Sequence, residues 1–209
     1  MLLSFCNSYS QQWRARSGFG LNLDRSFDNE GFAAVNSGIE YHFSQHFCPE
    51  IAVDYFFGVL KDKVETNNLN QETNRLEQNF SAVNLSFCPK IIFDDPTDNL
   101  RFQIIPKCNF YKTYAKGTFF LLDNNSLKYN TDSDKFEAFS TSFGIAIGLV
   151  LAITEDYSQA IALNLTYNNI DFGNAINGLK FVNHNLHSNQ SLGIEVLYYF
   201  SFKKIKPKP

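Results

Sequence analysis

The stretch Ser191-Leu192-Gly193-Ile194-Glu195-Val196-Leu197-Tyr198-Tyr199-Phe200 has an apolar or aromatic residue at every second position. The residues of this series are Leu192, Ile194, Val196, Tyr198 and Phe200. Successive side chains on a β-strand point to opposite faces. The stretch is therefore predicted to be a strand with one apolar face and one mixed face.

The same period-two pattern recurs along the chain in about eight segments of roughly ten residues. Clear examples are 51–59, 139–151 and 161–167. The segment around Pro106 is less regular and predicts a bulge, because proline has no N–H to donate to a sheet. A tilted strand needs about 9–11 residues to cross a bilayer. The pattern thus predicts an all-β fold, an eight-stranded antiparallel up-and-down transmembrane β-barrel.

The composition agrees with a membrane barrel. The 209 residues include 22 Phe and 10 Tyr, yet the mean hydropathy is only -0.23. Aromatic girdles at both membrane interfaces account for the rings, while a polar lumen and polar loops keep the hydropathy low. A net charge of -3 argues against a nucleic-acid partner. No apolar run approaches the roughly 20 residues of a membrane helix.

The connections between the segments alternate between short and long. Three long polar stretches follow the third, fifth and seventh segments, at 61–76, 118–135 and 168–189. Outer-membrane barrels have short periplasmic turns and long extracellular loops. We therefore expect the long stretches outside and both termini inside.

Three regions of the chain are predicted. Residues 11–202 are assigned to the barrel, and 203–209 to a basic C-terminal tail. Residues 1–10 lack the basic n-region and the long apolar stretch of an export signal. Two alternatives remain for this N-terminal segment: it is the remnant of a signal, or the protein is not exported.

Spaced glycines and aromatic residues give the chain a resemblance to a known family. They form three sets: Gly38-Ile39-Glu40-Tyr41-His42-Phe43 with Ile51, Val53 and Tyr55; Leu163, Leu165, Tyr167, Asp171, Phe172 and Gly173; and Gly193 with Tyr198-Tyr199-Phe200. In these sets the chain resembles the small bacterial outer-membrane β-barrels of the opacity and surface-antigen porin type, relatives of the eight-stranded OmpA transmembrane domain. The resemblance implies a place in the bacterial outer membrane, in contact with its lipid. The family usually ends on an aromatic residue, whereas here seven residues follow Phe202.

Alternation alone does not say which face of the barrel is inside. A soluble eight-stranded barrel of lipocalin type would turn the apolar face inward around a small apolar ligand. The opposite face is rich in Gly, Ala and Ser, which a solvated exterior does not need, and this favours the membrane barrel. A narrow ion or solute channel is a third alternative.

Charged residues on the mixed face are predicted to form a network inside the barrel, because a charge away from water must be paired. This predicted network comprises Arg14, Arg16, Glu40, Asp54, Arg101, Lys107 and Glu195. Such a network would plug the narrow lumen of an eight-stranded barrel. Bulk diffusion of solutes is then not expected.

Two cysteines are candidates for a disulfide. Cys48 and Cys88 lie at the predicted ends of neighbouring strands, and each is followed by a proline. An oxidising compartment would favour a bond between them. Two free thiols are the alternative, because the bond needs Cα atoms within about 7 Å.

No pattern of catalytic residues stands out in the sequence. We find no phosphate-binding glycine loop and no nucleophile elbow. The histidine pairs His42 with His46 and His184 with His187 lack a third ligand at a defined spacing. We therefore expect no enzyme activity, no metal and no cofactor.

Four large apolar residues stand together in the second long stretch: Phe119, Phe120, Leu121 and Leu122. Exposed on a loop, they would mark a contact site for a partner. Alternatively, they belong to a hairpin arm whose tip is the turn-forming Asn124-Asn125. The leading functional hypothesis is a surface protein that acts in envelope structure or adhesion through its long loops. Its partner would be a host or neighbouring surface macromolecule.

Overall fold

The computed structural model describes residues 13–27, 31–44, 46–69, 71–93, 99–123, 128–154, 158–180, 182, 186, 188 and 190–201. Its strands are β1 (Trp13–Asp24), β2 (Gly31–Tyr41), β3 (Phe47–Thr66), β4 (Glu72–Phe93), β5 (Leu100–Asp123), β6 (Lys128–Ala152), β7 (Gln159–Asn168) and β8 (Ser191–Ser201). A short helix, α1 (Gly173–Asn177), lies between β7 and β8. The predicted segments 1–10 and 203–209 lie outside the described residues.

The eight strands form one closed antiparallel barrel in which each strand pairs with the next along the chain. The first pair starts at Trp13, which lies opposite Tyr41. The ring closes between β1 and β8, where Gly20 lies opposite Glu195. The predicted up-and-down eight-stranded barrel is thus confirmed.

The apolar face of the barrel points outward. Along β8, Leu192 is 64% exposed, whereas Glu195 and Tyr199 are buried. Phe143 on β6 is 76% exposed. The same alternation surrounds the barrel and forms a continuous apolar band, which is the opposite of the lipocalin arrangement. In the part of the chain that the structure describes, no helix is long and apolar enough to cross a membrane.

Two hairpins extend far beyond the apolar band. β2 accompanies β3 only as far as Phe57, and β7 accompanies β6 only from Ile145 onward. Beyond these points β3 to β6 continue as a four-stranded sheet. We call this part the outer sheet and define it as residues 58–66, 72–80, 115–123 and 128–136. The polar stretches 61–76 and 118–135, predicted as loops, are therefore mostly strand.

Three prolines lie near the short-turn end of β3, β4 and β5. Pro49 lies directly opposite Pro89, and Pro106 lies opposite Ile145 of β6. The predicted bulge at Pro106 is wrong, because the register of β5 against β6 continues through it unchanged. Instead, the pairing of β4 with β5 is interrupted between Phe87 and Ile91, where two prolines supply no N–H.

Candidate functional site

The lower interior, near the short turns, contains a cluster of buried ion pairs. The guanidinium of Arg14 contacts the carboxylate of Glu40. Arg16 Nε lies 2.8 Å from Glu50 Oε1, and Arg16 Nη2 lies 3.8 Å from Asp54 Oδ1. All five side chains are buried. The cluster joins β1 to β2 and reaches β3, the strand beyond.

Lys90 connects this cluster to the far wall of the barrel. Its ammonium contacts Glu40 and lies 3.1 Å from Glu50 Oε2. It also donates to the hydroxyl oxygen of Tyr199 at 3.1 Å and lies 4.2 Å from the centre of that ring. Because β4 and β8 are not neighbours in the barrel, this contact spans the lumen.

A second ion pair lies further along the lumen. Lys107 on β5 lies 3.0 and 3.2 Å from the two carboxylate oxygens of Glu195 on β8. The structure thus places six of the seven residues of the predicted network in buried ion pairs. The seventh, Arg101, lies half-buried on the same face of β5 as Lys107.

Sequence reasoning missed two members of the ion-pair cluster, Glu50 and Lys90. Glu50 and Lys90 each stand two residues from a small interior residue of the same strand. This spacing of two is the sequence signal that predicts an inward-facing side chain. The adjacent Pro49 and Pro89 concealed this phase, because proline next to a strand end suggests a turn.

A belt of amide side chains crosses the middle of the interior. Asn36 and Asn84 donate to the two carboxylate oxygens of Asp54, at 2.8 and 3.0 Å. Asn84 also donates to Asn109 Oδ1 at 3.1 Å, and Asn109 donates to Ser142 Oγ at 3.4 Å. The belt therefore joins five consecutive strands, from β2 to β6.

A glycine makes room for another buried amide. Asn164 on β7 accepts a hydrogen bond of 2.7 Å from Gln103. A Cβ at Gly148, on the neighbouring strand, would lie 2.0 Å from Asn164 Oδ1. Small residues on the mixed face thus have a packing reason, since any larger side chain there would displace the polar belt.

Above the polar belt the interior becomes aromatic. Phe172, from the connection between β7 and β8, is completely buried. Its ring centre lies 4.8 Å from that of Phe80, 5.0 Å from Phe32, 6.1 Å from Phe56 and 6.5 Å from Phe27. This aromatic layer lies at the outer end of the barrel interior and includes rings from β2, β3 and β4.

The β7–β8 connection, which carries Phe172, forms hydrogen bonds with side chains of β5 and β6. The backbone N–H of Asp171 donates to the hydroxyl oxygen of Tyr111 at 3.0 Å. The backbone N–H of Lys180 donates to Asp134 Oδ2 at 2.9 Å, and this hydrogen bond lowers the pKa of the Asp134 carboxyl. Leu179 packs closely over Gly117.

Cys48 and Cys88 are free thiols in the structure, in contrast to the disulfide considered from the sequence. Both are buried on the interior face. The register places Cys48 opposite Lys90 and Cys88 opposite Glu50. The two cysteines are therefore diagonal neighbours, and such pairs lie about 7–8 Å apart, too far for a bond without movement.

His42 and His46 each contact a nearby polar group. His42 Nε2 lies 2.8 Å from Glu40 Oε1, and His46 Nδ1 lies 3.1 Å from the carbonyl oxygen of Ile92. His184 and His187 lie outside the described residues. Among the residues that are described, no group of three or more His, Cys, Asp or Glu side chains is placed to hold a metal ion.

The apolar run Phe119 to Leu122 belongs to β5 and forms part of the outer sheet. Phe119 lies opposite Asp132, and Leu122 lies opposite Tyr129. The guanidinium of Arg75 lies 4.9 Å from the centre of the Phe120 ring. The structure therefore has the hairpin arm that the sequence left as the alternative to a loop.

Comparison with known proteins identifies the fold. No protein-family model matches the chain, and no curated protein matches its sequence. The crystal structure of Neisserial surface protein A is similar, with a TM-score of 0.54 and 11% identity over 93% of this chain and 100% of that one. Ail, the attachment invasion locus protein of Yersinia pestis, is similar with a TM-score of 0.51 and 9% identity over the same shares.

Both similar structures are small eight-stranded outer-membrane barrels. At such low identity the likeness concerns the fold, and the outward apolar band of this chain agrees with it independently. The chain accordingly has the fold of the small eight-stranded β-barrels of the bacterial outer membrane.

Proposed function

We propose that the chain is a surface protein of the bacterial outer membrane that acts in envelope structure or adhesion through its outer sheet. The observation that carries this proposal is the extension of β3 to β6 beyond the apolar band. There the outward face of the four strands is exposed, while the β7–β8 connection covers part of their inner face. Functional residues commonly lie on such extensions of a rigid scaffold.

A closed lumen forms part of the proposal. The ion pairs around Lys90 span the lower interior, and the rings around Phe172 fill the outer mouth. An eight-stranded barrel is just wide enough for side chains to fill. These layers favour a structural or adhesive role over a channel, and we propose no catalytic activity.

The outer sheet offers a long edge for contact. β6 has no partner on the β7 side between Lys128 and Gly144, as far as the described residues extend. Such an edge presents free N–H and C=O groups to which an extended segment of another macromolecule can add. The charged side chains of Asp132 and Lys135 on this strand would limit nonspecific pairing of the edge with strands of other molecules.

The apolar run of β5 is the proposed contact patch of the outer sheet. Phe119 and Leu121 lie on its inner face, and Leu121 is 45% exposed. Phe120 lies on the other face against Arg75. Ail is by name an attachment protein, but its likeness to this chain extends to the fold alone. The adhesive role therefore rests on the outer sheet itself.

An adhesion assay tests the proposal. Bacteria displaying the full chain are allowed to attach to a fixed epithelial layer, with Phe119→Ser and Leu121→Ser combined in one variant. We expect weaker attachment with unchanged barrel folding, measured by the shift in gel migration on heating. The matched control combines Val64→Ser with Leu69→Ser, two exposed positions near the neighbouring hairpin tip. Equal attachment of both variants and the original chain would remove the patch from the proposal.

The closed lumen has its own test. The folded protein is inserted into planar bilayers, and single-channel currents are recorded. We expect no steady conductance from the original chain. Sustained openings of uniform size would replace the closed lumen with a narrow channel.

A further inference from the structure

Two lysines face each other on the outward side of the outer sheet. Lys116 on β5 lies directly opposite Lys135 on β6, and both are exposed. Directly opposite residues in an antiparallel sheet have Cβ atoms about 4.5–5.5 Å apart, and like charges there are destabilising. Within the described part of the chain, no acidic side chain forms an ion pair with either ammonium.

The neighbouring lysine shows the contrast. Lys112 lies two outward positions closer to the apolar band, and its ammonium contacts Glu137. It also lies 5.0 Å from the centre of the Tyr114 ring. The nearby acid is thus already paired with Lys112. Lys116 and Lys135 are left as an excess of positive charge on this surface.

A recess lies beside the two lysines. It has a volume of about 390 Å³, and its lining includes Lys116, Lys135, Tyr55, Phe57 and Tyr114, together with Glu137, whose carboxylate is paired with Lys112. The recess therefore has an ammonium pair and an aromatic wall. A ligand that fits it should combine an anionic group with an apolar or amphipathic body.

The position of the recess along the barrel axis, relative to the apolar band, indicates the class of ligand. Just below it, Val83 on β4 and Phe139 on β6 are exposed, the latter by 70%, and belong to the apolar band. Above it the outward face of the outer sheet is mixed, with the Arg75–Glu77 ion pair beside Phe120. Aromatic residues and lysines at this transition are typical of the interface between a bilayer and water. A molecule in the recess is therefore held at the level of lipid headgroups.

We propose that this recess binds the headgroup of a phosphorylated lipid of the outer leaflet, with Lys116 and Lys135 holding the phosphate. Lysine binds phosphate as a compact positive charge. Tyr55 and Phe57 would contact the part of the lipid next to its acyl chains. The phosphate would also relieve the repulsion between the two ammonium groups. This inference goes beyond adhesion and needs only the transmembrane placement of the barrel.

Native mass spectrometry of the folded full chain in a non-ionic detergent tests the site. The probes are dioleoyl phosphatidic acid and dioleoyl phosphatidylcholine, which share their acyl chains. We expect the original chain to retain phosphatidic acid preferentially. The double variant Lys116→Gln with Lys135→Gln should bind it on the order of 25-fold more weakly, because each lysine near an anionic headgroup contributes about a factor of five.

A matched control variant combines Lys63→Gln with Lys128→Gln, which removes the same charge from two other exposed positions of the outer sheet. It should bind phosphatidic acid like the original chain. Equal weakening in both double variants, or no preference of the original chain for phosphatidic acid, would overturn the proposal. Displacement by an equal concentration of inorganic phosphate or of a soluble heparin fragment would overturn the assignment to a lipid. Gel migration before and after heating confirms folding, and the two single variants replace the double variant if it does not fold.

Discussion

Lys90 and Tyr199 meet inside the barrel although 109 residues separate them in the chain, with 3.1 Å between Nζ and the hydroxyl oxygen. Their strands, β4 and β8, lie on opposite sides of the ring. The ammonium also contacts Glu40 and lies close to Glu50. One side chain thus links four strands across the lower lumen.

Replacement of this lysine should be strongly destabilising. Lys90→Met leaves Glu40 and Glu50 with one cation fewer in a buried site, and breaking a buried ion pair costs about 3–5 kcal/mol. Urea unfolding of the barrel in lipid vesicles measures the loss. Lys128→Met, at an exposed position, should change the free energy of unfolding by less than about 0.5 kcal/mol. A similar small effect at Lys90 would contradict its central place in the cluster.

The aromatic layer should depend on Phe172. Phe172→Ala removes a ring that contacts four others, and the loss of a buried phenylalanine costs about 3–5 kcal/mol. We expect faster hydrogen exchange at the amides of Asp171 and Lys180, because the connection loses its buried anchor. Leu69→Ala, on an exposed turn, serves as the control. Unchanged exchange in Phe172→Ala would mean that other contacts hold the connection.

The hydrogen bond from the Lys180 N–H to Asp134 should be sensitive to acid. Because this bond lowers the pKa of the Asp134 carboxyl below its usual 3.8, its stabilising effect is present above that pH and is lost as the pH falls through the lowered pKa. The amide shift of Lys180, followed by NMR, should therefore titrate with a midpoint below 3.8. Asp134→Asn should abolish the titration. A midpoint above the usual value would rule out the bond.

The two interior cysteines should behave as thiols. Without reductant, a maleimide should modify both Cys48 and Cys88 once the barrel is unfolded by heat and denaturant. In the folded protein both should react slowly, because their side chains are buried. Substituting Cys6 and Cys108 by Ser restricts the count to this pair. Two unreactive sulfurs in the unfolded chain would instead indicate a disulfide.

The strands within the apolar band could be predicted because lipid on one side and the buried barrel interior on the other impose a strict period of two. Beyond Phe57 and Ala115 both faces of the outer sheet are polar or mixed, and this pattern is lost. The stretches 61–76 and 118–135 therefore looked like loops. These stretches form strands because they pair with neighbouring strands, and the local sequence pattern does not predict such pairing.

The interior was predicted in part for the same reason. Arg14, Glu40 and Asp54 follow the inward phase of their strands, and the structure buries them. Glu50 and Lys90 follow that phase as well, but each lies next to a proline. The insertion of Phe172 depends on contacts between the β7–β8 connection and distant strands, so it has no signal in the local sequence.

The transmembrane placement of the barrel depends on which of its faces meets lipid, and a spin-label scan along β8 measures this directly. Single cysteines at each position from Leu192 to Phe200 carry the label in a chain without native cysteines, folded in vesicles. Collision with oxygen, which concentrates in the bilayer, should be high at Ile194, Val196 and Tyr198 and low at Glu195 and Leu197. The reversed pattern, with the labels at Glu195 and Leu197 more accessible to oxygen, would contradict the transmembrane barrel.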